Sequence, residues 1–244
     1  MLARLRSLLF TDPMIFALTI VMGVLSLLAS VFDGTGRLQH AIARRWARML
    51  LGLCGVRVIV RGAENLAPGT AYVFCSNHLS LIDTPLIFGY LPWEFRILAR
   101  SGLWKIPFLG WHLRRAGHMP VVRDDVRASV RNITYAARRG AEGTSVFVFP
   151  EGGRSPDGRT QEFRAGAAYI AIRAGAPLVP MGIVGTREVH TLGSAVVHPG
   201  PVELRIGRPL PTTGLTSRDA RSLMEQARQQ VSELLEPYGR PAYQ

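Results

Sequence analysis

The sequence predicts an α/β fold: a mainly parallel central sheet flanked by helices, preceded by an N-terminal membrane-associating two-helix segment. Three observations carry this. Beyond Gly55, short apolar or alternating runs of strand length are interleaved with longer stretches of helical period. Strand–helix alternation of that kind builds βαβ units, whose crossovers set the strands parallel and cover both sheet faces. Before Gly55, an uncharged apolar run is followed by a basic amphipathic one. Finally, 244 residues with 48% hydrophobic content suffice for one α/β domain plus an appendage. We divide the chain at 1–55, the helical pair, and 56–244, the α/β domain.

In chain order, the first element is "PMIFALTIVMGVLSLLASVF", Pro13 to Phe32, which contains no charged residue. As a helix it reaches about 30 Å, roughly the hydrocarbon thickness of a bilayer. It is longer than the apolar part of a signal peptide and no clear A-x-A site ends it. A buried core helix is the other reading, and whether the segment spans or only dips into a bilayer stays open. From Gly36 to Gly55, Leu38, Ile42, Trp46, Met49 and Leu53 recur at helical steps among Arg37, Arg44, Arg45 and Arg48. Such a helix either lies at an interface with its arginines towards lipid phosphates or packs on the domain. Positive charge after the apolar run places the remainder on the cytoplasmic face of the inner membrane.

"VRVIVRG" from Val56, "AYVFCS" from Ala71, "TSVFVFP" from Thr144, "APLVPMGIVG" from Ala176 and "VELRIG" from Val202 read as strands. Asp124–Gly140 and Arg164–Gly175 read as helices, each closed by glycine. Thr216 and Asp219 form a capping-box pattern before a last helix that runs to about Glu236. Ligands of such sheets bind beyond the carboxyl ends of the strands. The informative loops are therefore "SNHLSLID" after Cys75 and "PEGGRS" after Phe149.

His78 and Asp83 are five residues apart. On one helix they would point about 140° apart, so they meet only if the chain turns between them. Pro85 supports a helix that starts near Asp83, since proline is tolerated only in the first turn. A histidine–aspartate pair would fix the imidazole tautomer and leave the other nitrogen as a base. The plainer alternative is a loop histidine next to a helix cap. In "FPEGGRS", two glycines allow close backbone approach, Arg154 can fork onto a phosphate or carboxylate, and Glu151 can accept a hydrogen bond or hold an arginine. No GK[ST] follows, so this is not a Walker loop.

Twenty-nine Lys and Arg against 17 Asp and Glu give a formal net charge of +12, which favours anionic partners. The arginines are scattered over helices and loops with no nucleic-acid module, so nucleic acid is not expected. Two cysteines, Cys54 and Cys75, form neither a disulfide framework nor a thiolate metal cluster.

"NHLSLID" has the NHx4D form and "FPEGGRS" the FPEGxRS form, in that order and about 70 residues apart. Together they resemble the glycerolipid acyltransferases of the PlsC type over roughly Val56 to Gly207. "GHMPVVR" (Gly117–Arg123) and "LVPMGI" (Leu178–Ile183) are similar to two further blocks of that family. Where many members carry a lysine-rich stretch, this chain has "LARSGLWKIPFLG", with Arg100 and Lys105 as substitutes.

The resemblance implies an O-acyltransferase in which His78 is the general base and Asp83 orients it. Arg154, helped by Arg123, holds the acceptor's phosphate; Glu151 and Gly152 shape the pocket, and Arg100 and Lys105 contribute to substrate binding. The donor is acyl-CoA or acyl-acyl carrier protein, a co-substrate, with no cofactor or metal and no covalent acyl-enzyme. The acceptor is a lysophospholipid, 1-acylglycerol 3-phosphate by default, presented at an anionic membrane surface. His112 and His118 lack a metal-binding pattern and read as structural. The competing readings are transfer to another lysolipid, a hydrolase using Cys75 or Ser80, and a non-enzymatic binder of anionic membranes.

Overall fold

The computed structural model describes residues 7–121, 126–194 and 196–236. A π-helical turn, Ser7–Thr11, leads into α1 (Asp12–Phe32) and α2 (Arg37–Leu53). Then follow β1 (Val56–Arg61), β2 (Val73–Ser76), α3 (Asp83–Tyr90), β3 (Phe95–Arg100), α4 (Leu109–Arg115), β4 (Met119–Val121) and α5 (Val126–Ala141). β5 (Ser145–Val148), α6 (Gly166–Ala174), β6 (Leu178–Val184), the one-turn α7 (Thr186–Val189), β7 (Gly200–Ile206) and α8 (Ala220–Leu235) complete the described part. The sheet order is β1-β7-β6-β2-β5-β3-β4. Every pair is parallel except β6–β7. The fold is the mainly parallel α/β sheet expected.

Side chains alternate across the sheet, and each face has its own cover. Phe74, Phe95 and Phe147 pack with Ala47 and Leu51 of α2 and Leu86 and Ile87 of α3. Val73, Cys75, Val146 and Val148 pack with Ala167 and Ile170 of α6 and Leu223 and Ala227 of α8. The second helix therefore contributes to the main core through a stripe of small residues, Ala43 and Ala47 beside Leu50 and Leu51. The larger apolar residues of the sequence pattern, Leu38, Met49 and Leu53, are on its exposed side.

Of the two readings of the second helix, packing on the domain describes Arg44 and Arg48, which bind protein and not lipid phosphates. Arg44 donates to the carbonyls of Leu91 and Trp93 at 3.1 and 3.0 Å, and Arg48 to Gly89 at 2.8 Å. Carbonyls at the end of α3 carry its negative dipole end, which favours a cation. The strands β3 and β4 were not recognised. β3 carries a charge at its second residue, Arg96, which is only 3% exposed and bonds Thr35 O and Glu94. β4 has three residues including Pro120, tolerated because the strand is at the sheet edge.

α1 is joined to the body by polar contacts along one face. Trp46 Nε1 donates to Thr19 Oγ1 at 3.1 Å, and Ser26 Oγ lies 2.7 Å from His112 Nδ1. Its other face is apolar and open: Phe16 is 69% exposed and Phe32 86%. Before α8, the Asp219 carboxylate accepts from both the backbone N–H and the hydroxyl of Thr216, at 2.7 and 2.8 Å. Leu86 lies fully buried between α2, α3 and the sheet. Truncating it to alanine should cost about 2–5 kcal/mol of stability, read as a lower midpoint in urea unfolding.

Candidate functional site

β2 ends at Ser76 and the next residue ties the following loop to the sheet. Asn77 is fully buried; its Nδ2 donates to Ile183 O at 2.9 Å, and its Oδ1 accepts from Ile183 N–H at 2.8 Å. The side chain thus continues the β2–β6 pairing by one position and fixes where His78 begins.

Asp83 is the first residue of α3, and its side chain is 0% exposed. It does not cap that helix. Its Oδ2 accepts from backbone N–H groups upstream, Leu79 at 2.6 Å and Ser80 at 2.8 Å. The same oxygen lies 2.8 Å from His78 Nδ1. Between them the chain makes the turn that the five-residue spacing demanded. Because a carboxylate only accepts, the Nδ1 proton sits on the imidazole, and in the neutral ring Nε2 carries the lone pair. No described residue bonds Nε2.

The second loop holds the same histidine. Phe149 stacks on the His78 ring with centroids 3.9 Å apart and planes 14° apart. Glu151 Oε1 accepts from the His78 backbone N–H at 3.2 Å, and Ser155 N–H donates to His78 O at 2.8 Å. Glu151 therefore holds the histidine's backbone and pairs with no arginine among the described residues. Burial pushes its carboxyl up from 4.5 to about 7, with Asp83's charge adding and the backbone N–H groups of His78 and Gln161 opposing. Gly152 has a φ of 73°, a left-handed conformation suited to glycine. The Arg164 guanidinium passes over it: a Cβ at Gly152 would lie 3.6 Å from Arg164 Cζ.

The remaining sequence-derived candidates are placed differently. Arg154 is half-buried and pairs with no described carboxylate. Arg100, at the end of β3, and Lys105, in the 3₁₀ turn Ser101–Lys105, are exposed and join none of the contacts around His78. Arg123 lies outside the described residues. Sequence reasoning gave no role to Asn77 or Phe149, although both stand inside the quoted motifs. It also passed over Arg187 on α7. That side chain lies against Gly158, where a Cβ would run into Nη1. α7 is itself tied to the first loop, since Ser80 Oγ donates to His190 O at 2.7 Å.

Among the described residues, the buried polar atoms with no protein partner include Asp83 Oδ1 at the start of α3, Glu151 Oε2 in the second loop, and Thr186 Oγ1, Arg187 Nη1 and His190 Nδ1 on or just after α7. Each such atom costs about 1–3 kcal/mol unless water or another group supplies the bond. The alternative nucleophiles fit poorly. Cys75 is fully buried on the far side of β2 from Phe74, and burial pushes its thiol far up. Ser80 Oγ is engaged with His190 O.

Fold and site define an α/β protein with an oriented histidine at the carboxyl edge of its sheet. The chain belongs to the acyltransferase family, whose model matches residues 57–184. It is 32% identical over 199 residues to a chloroplastic 1-acyl-sn-glycerol-3-phosphate acyltransferase of Brassica napus, covering 81% of this chain and 56% of that protein. It is 29% identical over 202 residues to the enzyme so named from Pseudomonas aeruginosa, covering 80% and 76% of the two chains. The crystal structure of PlsC, a 1-acyl-sn-glycerophosphate acyltransferase from Thermotoga maritima, superposes with a TM-score of 0.79 at 28% identity, covering 98% of this chain and all of that one. The chain spans a little over half the length of the chloroplastic relatives it matches.

Glu151 generates a prediction. Its carboxyl binds a proton more tightly folded, at about 7, than the 4.5 of an ordinary glutamate. Its contribution to stability is therefore full below 4.5 and is lost as pH rises through about 7. Glu151→Gln keeps the oxygen that accepts from His78 N–H and removes the titration. Melting temperatures from pH 4.5 to 8 should fall less with rising pH in this variant than in wild type.

Proposed function

We propose that the protein transfers an acyl chain from the thioester of acyl-CoA or acyl-acyl carrier protein to the free hydroxyl of a lysophospholipid, most simply 1-acylglycerol 3-phosphate. The observation that carries the reading is His78, held by Asp83 through Nδ1 at 2.8 Å with no partner for Nε2 among the described residues. Nε2 takes the proton of the acceptor hydroxyl as its oxygen attacks the thioester carbonyl. The C–O bond forms, the C–S bond breaks, and the thiolate leaves, recovering the proton that His78 carries. The imidazolium formed in between faces a buried carboxylate that needs no rearrangement to stabilise it. The thioester is a co-substrate, and the scheme uses no separate cofactor.

Arg154 is the first cation for the acceptor's phosphate, with Arg164 and Arg187 beside the same loop. The names of the relatives, all 1-acyl-sn-glycerol-3-phosphate acyltransferases, support a phosphorylated acceptor. The open apolar face of α1 supports a membrane-bound protein, since the helical stretch Leu9–Phe32, 24 residues, is long and apolar enough to cross a membrane. The excess of basic residues supports an anionic surface, the cytoplasmic face of the inner membrane.

With acyl-CoA and lysophosphatidate, His78→Ala should lower kcat by about 10²–10⁴-fold while the protein stays folded. Wild-type turnover in that variant would exclude His78 as the base. Arg187→Gln should raise KM for lysophosphatidate roughly 10- to 150-fold and leave KM for acyl-CoA unchanged, since a charge-assisted phosphate contact is worth about 1.5–3 kcal/mol. An unchanged acceptor KM would remove Arg187 from the phosphate site.

A further inference from the structure

The segment "KIPFLGW", Lys105 to Trp111, which runs from the end of the 3₁₀ turn into the first turn of α4, places its apolar side chains in solvent. Ile106 is 47% exposed, Phe108 61%, Leu109 39% and Trp111 52%. A mobile loop could do this by chance, but this one is tightly built. Phe108 has φ 61° and ψ −53°, and Leu109 N–H donates to Pro107 O at 2.7 Å. That is a γ-turn of the uncommon, strained hand, centred on the one described non-glycine residue with positive φ. Gly110 N–H bonds Ile106 O at 2.8 Å, and a Cβ at Gly110 would run into the carbonyl of Trp104. Phe108 and Trp111 then meet edge to face, with centroids 5.1 Å apart. The backbone accepts strain in order to display a phenylalanine, and such strain is characteristic of functional segments.

Its surroundings identify what it meets. Trp111, Arg114 and Arg115 share a shallow groove with Leu27, Ser30 and Val31 of α1. The loop is thus continuous with the open apolar face of that helix, where Leu28 is 57% and Val31 73% exposed. The Ser26–His112 contact fixes α1 against α4. Lys105, Arg114 and Arg115 surround the apolar tip, are exposed, and form no ion pair among the described residues. Aromatic side chains ringed by unpaired cations match the boundary between acyl chains and anionic headgroups.

We propose that Ile106–Trp111 is a second membrane-insertion edge, which enters an anionic lipid surface alongside α1 and sets the tilt of the sheet's carboxyl edge against it. This rests on the membrane-bound reading above. The test measures partitioning of the full chain onto vesicles of phosphatidylcholine and phosphatidylglycerol, with melting temperature recorded for each variant. Phe108→Gly relieves the positive φ, so it should keep or raise the melting temperature. Combined with Trp111→Gln, it should weaken partitioning about tenfold or more. Arg114→Gln with Arg115→Gln should weaken it about fivefold per charge on anionic vesicles and leave binding to pure phosphatidylcholine unchanged. In wild type, brominated lipid should quench tryptophan fluorescence, and Trp111→Phe should remove much of that quenching.

If wild type binds and the Phe108→Gly/Trp111→Gln protein binds equally well, α1 alone docks and the second edge is wrong. A fall in melting temperature matching the loss of binding would assign Phe108 to structure instead. If wild type does not partition at all, it is the membrane-bound reading that fails.

Discussion

Asp83 Oδ2 accepts from His78 Nδ1 and from the N–H groups of Leu79 and Ser80, and it does so from a fully buried position at the start of α3. The geometry of the whole edge depends on this convergence. A buried carboxylate is costly unless donors surround it, so the four residues between the pair must fold back rather than continue as helix. Once they do, the histidine is aimed outward from the sheet with one nitrogen bound and one free. The constraint works in both directions, because without the imidazole the carboxylate would lose the one side-chain donor it has among the described residues.

The rest of the molecule keeps that turn in place. Asn77 stitches its start to β6 and Ser80 stitches its middle to the end of α7. Phe149 clamps the ring from one side, while Glu151 and Ser155 hold the backbone of His78 from the neighbouring strand's loop. These contacts come from the loops after β2, β5 and β6, adjacent strands whose parallel order puts their carboxyl ends side by side. The parallel sheet matters to the site for that reason: it brings distant segments to one edge without any of them being long. α2 and α3 add to this from below, through core packing and the two arginines that satisfy the last carbonyls of α3.

Much of this was legible in the residues. Apolar runs of strand length fixed the order of strands and helices from β5 onward. The spacing of His78 and Asp83, with Pro85 behind it, showed that the pair could meet only through a turn, and left open whether they do. What stayed hidden had physical causes. Arg96 masked β3 because a cation at its second residue, with Arg100 at its end, leaves an apolar run of only three residues. The alanines of α2 were less visible than its leucines, although they face the core. Arg164 and Arg187 carry no spacing signal, since their proximity to the second loop arises from glycines that let a guanidinium lie close to the backbone. Phe149 was quoted as part of a motif, yet its stacking could be known only from the fold. The role of Glu151 was likewise hidden, because its partner is a backbone N–H from another loop.

The central claim is that Asp83 locks His78 in the tautomer with the proton on Nδ1 and leaves Nε2 as the acceptor. The most direct measurement is the ¹⁵N spectrum of protein labelled in its histidine rings, with His78 assigned by comparison with His78→Gln, at a pH where the ring is neutral. The account predicts a protonated Nδ1, with a shift displaced by a strong hydrogen bond to carboxylate, and an unprotonated Nε2. A proton on Nε2 with a bare Nδ1 would contradict it, since the nitrogen facing the site could then give a proton but not take one.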